Sequence, residues 1–144
     1  MREEPIDDLI SQPWEGQRGD IIGLWRLARL FHALCVQQGY VLLMYSQTPA
    51  EGLAAVPPLV RGRVEEVDLT TLPKHEDMPF LKLRLVDEDN TKRIMTLQTF
   101  GRFVVSPQED GAIHVIFYQS DRPKEISALV RLRLLPETPW KISP

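Results

Sequence analysis

With 144 residues, 43% hydrophobic and 26% charged, the chain has the size and balance of one globular domain that buries a single core without disulfides or metal. A formal net charge of −3 argues against an undifferentiated polyanion binder and moves attention to where the cations sit. The one cysteine, Cys35, excludes an intramolecular disulfide and fits a reducing compartment, so a cytoplasmic protein is expected.

Residues 1–19 read as a flexible leader, acidic at Glu3, Glu4, Asp7 and Asp8 and interrupted by Pro5, Pro13, Gly16 and Gly19. No basic segment leads into an apolar run, so the start is not read as a secretory signal. Ile6, Leu9 and Ile10 have helical spacing behind Pro5, which suits one short docking turn.

Asp20 is placed to cap a helix whose apolar residues Ile21, Leu24, Trp25, Ala28, Phe31 and Cys35 line one face. Leu27, Leu30 and Leu34 widen that stripe, Arg26, Arg29, Ala33 and Gln37 lie opposite, and Gly39 supplies a left-handed stop. Tyr40 to Ser46 reads as a buried strand, apolar on both faces, packed with the helix as a unit over 20–46. The apolar pieces of this region are too short to cross a bilayer, and no membrane association is expected. A proline-rich linker follows over 47–58.

Beyond Pro58 the apolar pattern changes to period two, the mark of half-buried strands. Strands are predicted at 59–69, 80–86, 92–100, 112–119 and 126–135, with a polar loop over 72–79 and turns at 87–90, 108–111 and 121–124. Phe103-Val104-Val105 reads as a further strand or a tight connection, and a tail over 137–144 follows. The fold class is therefore α+β, mostly β: an N-terminal amphipathic helix and an antiparallel β-domain over 59–136.

Val60-x-Gly62-x-Val64-x-x-Val67, Leu81-x-Leu83-x-Leu85-x-Asp87 and Ile126-x-Ala128-x-Val130-x-Leu132-x-Leu134 together resemble strands of an OB-fold barrel. The resemblance covers about 59–135 and rests on patterning, with a glycine where the first strand of that fold coils sharply. It implies a small OB-like barrel whose first strand lies between the second and the last; a small β-sandwich or another partly open barrel is the alternative. It departs from the family in leaving only 101–107 where many members carry a helix.

Period two turns Val60, Gly62, Val64, Leu81, Leu83, Leu85, Ala128, Val130, Leu132 and Leu134 inward. The same register turns Arg61, Arg63, Lys82, Arg84, Arg131 and Arg133 outward, with Phe80 at the edge and Lys92 or Arg93 extending the stripe. Cations along strands with an aromatic for stacking suit single-stranded DNA or RNA, or another extended polyanion. Charged outward positions are also ordinary on solvent-facing strands. The competing expectation is an adaptor or assembly subunit that contacts a protein partner or a second copy through Ile6, Leu9, Trp14 and Trp140.

Catalysis and metal binding find little support. Asp87-Glu88-Asp89 lacks the spacing, glycine and distal glutamate of a calcium loop and reads as a turn. His32 and Cys35 are two ligands at most, with no third residue at ligand spacing. Neither phosphate-cradling glycines nor a nucleophile elbow is present, so no catalytic residue, metal or cofactor is assigned.

Overall fold

A computed structural model of the chain describes residues 5–17, 21–46, 57–72, 75–98, 102–119 and 125–134. Its elements are α1 (Ile6–Ile10), β1 (Trp14–Gly16), α2 (Ile21–Phe31), β2 (Val41–Tyr45), β3 (Val60–Leu72), β4 (His75–Asp87), β5 (Lys92–Gln98), β6 (Phe103–Pro107), β7 (Ile113–Tyr118) and β8 (Ile126–Arg133). The protein is α+β and mostly β. Eight strands form a single sheet in the order β1-β6-β7-β8-β2-β3-β4-β5, antiparallel throughout.

The sheet curls around α2, which packs against β1, β3 and β4. Laid flat, β1 and β4 are six strand spacings apart, roughly 29 Å at about 4.8 Å each. An eleven-residue helix is only about 16 Å long and 10–12 Å thick, so it reaches both strands only if the sheet bends towards it. Leu24, Leu27, Leu30, Phe31 and Leu34 fill the hollow, each without measurable exposure, against Leu42, Leu81, Leu83, Val105, Val115, Val130 and Leu132. Removing this apolar area from water is the main stabilising contribution of the fold.

The barrel expected from sequence is not formed. The sheet is unclosed, with β1 and β5 at its two ends, and a single sheet also excludes the sandwich among the described residues. Two features account for this. The strand after the helix, β2, inserts between β3 and β8, so the predicted adjacency of those two strands is replaced by two separate ladders. The hollow is also occupied by a helix, against which the sheet's inward side chains pack.

Residues within the predicted leader carry regular structure: α1 buries Leu9, Ile6 and Ile10 pack against the core, and β1 pairs with β6. The Trp14 indole Nε1 donates to the Leu9 carbonyl at 2.9 Å, joining the two. The helix face is also rotated from expectation. Ile21, Ile22 and Trp25 are 43%, 55% and 50% exposed, whereas Ala33 is buried. The last six helical residues, His32–Gln37, are π-helical, and the wider turn displaces side chains from an ideal 3.6-residue stripe. Gly39 ends the helix at φ +78°, with the Tyr40 amide donating to the Leu34 carbonyl at 2.8 Å.

The polar loop predicted over 72–79 is shorter than expected, because β3 continues to Leu72 and β4 starts at His75. Asp20, Trp140 and the 121–124 turn lie outside the described residues. No helix among them is long and apolar enough to cross a membrane.

Candidate anion-binding face

Residues directly opposite one another in an antiparallel ladder project to the same face, so strand register alone sorts the side chains of this sheet. Leu42 lies between Gly62 and Leu132, and Val64 opposite Leu85, on the concave side. One residue along, Val41 lies between Arg63 and Arg133, and two further on Leu43 lies between Arg61 and Arg131. Four arginines therefore emerge on the convex face, on the strands either side of β2. Two spacings of about 4.8 Å separate the flanking strands by roughly 10 Å.

β2 itself is apolar on this face as well as inside. Val41 and Tyr45 are buried, and so is Leu129, which faces Tyr45 from β8. None of the three belongs to the core around α2. The expectation of a strand apolar on both sides holds, with Val41, Leu42 and Tyr45 buried and Leu43 and Met44 half-buried. Register also explains Gly62: a β-carbon there would meet Leu85 Cδ1 at 2.6 Å and the Val86 carbonyl oxygen at 2.9 Å. Only glycine allows β3 and β4 to approach so closely beside Arg61 and Arg63.

The remaining predicted cations sit differently. After Val64 a bulge at Glu65 shifts the ladder, pairing Arg84 with Glu66 and Lys82 with Asp68 on the convex face. Arg84 Nε lies 3.4 Å from Glu66 Oε2, so this pair is set in a mixed-charge field. Phe80 is half-buried on the same face but six residues along β4 from Val86, roughly 20 Å from the level of Arg63. The predicted stripe thus divides into an arginine group on β8 and β3 and an outlying, partly neutralised group on β4.

Within the arginine group one pair is tethered. Arg131 contacts the Asp110 carboxylate and donates from a terminal nitrogen to His114 Nε2 at 2.9 Å. Burial and the neighbouring guanidinium lower the His114 pKa below its usual 6.5, so the ring is neutral and accepts at Nε2. Asp110 also accepts from the Ala112 amide at 3.0 Å, and that bond together with Arg131 holds its carboxyl below the usual range. Arg61 Nε lies 3.7 Å from Glu88 Oε1. Among the described residues, Arg63, Arg133 and Lys92 are exposed and held in no ion pair.

Arg93, named with Lys92 as a possible extension, points elsewhere. It is opposite the inward-facing Leu85 and binds Asp87, whose carboxylate also accepts from the Asp89 and Thr91 amides at 3.0 and 2.9 Å. The Asp87 carboxylate is thereby satisfied locally, and Arg93 lowers its pKa. No cluster of three or more metal-ligating side chains occurs among the described residues. Cys35 is buried, and burial pushes its thiol up well above the range of a reactive thiolate.

The sequence pattern does not single out Asp110 and His114 as partners of Arg131, because their association depends on the ladder between β7 and β8. Nor does it mark β2 as the centre of the arginine group. Of the side chains considered for a partner, Leu9 is 2% exposed and Ile6 and Trp14 pack on the core, so all three are engaged within the chain. Compared with family models, curated proteins and solved structures, the chain matches none.

Proposed function

We propose that the protein is a non-catalytic binding module whose convex face takes a single-stranded nucleic acid, with Arg61, Arg63, Arg131 and Arg133 contacting phosphates. The observation that carries this reading is the register of β8, β2 and β3, which brings four guanidiniums of an acidic protein onto one face. Backbone phosphates are the ligand such cations suit, because counterion release rewards neutralising several charges in a row. Arg131, held by Asp110 and His114, is preorganised and loses little freedom on binding. Lys82, Arg84 and Phe80 would add peripheral contacts. The reading rests on this face and not on the OB-fold resemblance, since the sheet is unclosed.

Fluorescence anisotropy of a labelled oligonucleotide, titrated over a range of salt, tests it. Four phosphate contacts give a log–log salt slope of about −3, and Arg63→Glu with Arg133→Glu abolishes binding. No association at low salt removes the reading.

One observation favours a second reading, a protein adaptor. Ile21, Ile22 and Trp25 stand exposed together at the start of α2, where a soluble helix ordinarily shows polar residues. Light scattering that shows a concentration-dependent dimer, lost in Trp25→Glu, supports that alternative.

A further inference from the structure

The convex face holds a second regularity, at right angles to the strands. Arg133 is opposite Val41, Val41 opposite Arg63, Arg63 opposite Val86 and Val86 opposite Lys92. Five neighbouring strands thus contribute one level that alternates cation, valine, cation, valine, cation. No carboxylate lies on that level. The three cations are the exposed ones with no ion pair among the described residues, whereas Arg61 and Arg131, on the next level, face Glu88 and Asp110.

Building on the proposed function, we infer that the nucleic acid strand crosses the sheet along this level, perpendicular to the β-strands, with Arg133, Arg63 and Lys92 as its principal phosphate contacts and Arg61 and Arg131, each beside a carboxylate, flanking the path. A path along the strands is opposed by charge. Following β3 past Val64, a polyanion meets Glu65, Glu66 and Asp68, and along β4 the cations Arg84 and Lys82 already face Glu66 and Asp68. The transverse path passes one acid, Asp110 beside Arg133, which is already bound by Arg131. Four spacings from β8 to β5 cover about 19 Å, the length of roughly six stacked nucleotides at about 3.4 Å each. A cation every two strands, about 10 Å, then meets about every third phosphate. Val41 and Val86 are 1% and 7% exposed, so apolar, buried positions separate the cations, whose spacing the ladders set.

Single alanine substitutions in the full chain test the path, read by anisotropy with labelled oligothymidylate, with thermal melts confirming that each variant is folded. Arg63→Ala, Arg133→Ala and Lys92→Ala each weaken binding by roughly three- to tenfold and flatten the salt slope by about one unit. Lys82→Ala and Arg84→Ala leave affinity within about twofold. If those two cost as much as the first three, the transverse path is overturned while the proposed function stands. If the unsubstituted protein shows no salt-dependent binding, both fall. Equal affinity for an acidic peptide, with the same sensitivity to substitution, overturns the assignment to nucleic acid.

Discussion

Gly16 lies against the ring of Phe103: a β-carbon at position 16 would stand 2.4 Å from Phe103 Cζ and 2.5 Å from Cε1. The two residues are opposite each other where β1 joins β6. Phe103 has no exposed surface and meets Trp14 edge-on, with ring centroids 5.8 Å apart at 82°, and Phe117 at 6.1 Å. Fully buried and packed against Gly16, Trp14 and Phe117, the ring has little room to yield. Gly16→Ala is expected to destabilise the fold by about 1–3 kcal/mol, the usual cost of overpacking. Urea denaturation gives the value. Pairing it with Phe103→Leu recovers part of the loss if the clash is the cause, and strictly additive losses reject that cause.

The exposed end of α2 leads to a contrast between neighbours. Leu24 is fully buried among the core residues, while Trp25, next in sequence, is half exposed. Leu24→Ala should cost about 2–5 kcal/mol through lost transfer energy and the cavity left behind. Trp25→Ala should cost less than about 1 kcal/mol despite removing the larger side chain. Chemical denaturation of the two variants separates this face of the helix from the stripe read in the sequence, which buried both. Comparable losses would restore the original stripe.

That reversal shows where sequence periodicity carries and where it fails. Leu24, Leu27, Phe31 and Leu34 were readable as core because helical spacing repeats locally, and Leu81, Leu83 and Leu85 because strand spacing does. Ile21 and Trp25 were misassigned because an apolar stripe wider than the available hollow leaves some members outside, and the hollow is set by strands far away in the sequence. The arginines on β3 and β8 were placed on the correct face, since alternation fixes the face once one neighbour is buried. Their grouping was not readable. It depends on β2 entering between those strands, a non-local pairing, and on the bulge at Glu65, which turns Glu66 and Asp68 towards Arg84 and Lys82. Gly16 looked like a helix-breaker in a leader, and only the Phe103 ring explains it.

His114 provides the last test, through pH. Its ring is packed between Ser106 and Arg131 across the ladder, with Asp110 and Arg133 the other charged groups around Arg131. Burial and the positive charge of Arg131 lower its pKa, and the attraction of Asp110 only partly offsets them. The folded protein therefore binds fewer protons at this site than the unfolded chain. Stability from this site is complete above the unfolded value of about 6.5 and is lost as pH falls from there through the depressed folded value. A protonated ring also can no longer accept from Arg131, so the guanidinium loses one of its two tethers. Asp110, lowered in its own pKa, holds the other tether until far more acidic conditions. Denaturation midpoints measured from about pH 7 to about pH 5 should fall in the unsubstituted protein. In His114→Gln, whose amide oxygen accepts from Arg131 without titrating, the fall should be smaller by the His114 share. Identical slopes for the two proteins would mean that His114 is not neutralised by its surroundings, and that Arg131 is not held by it.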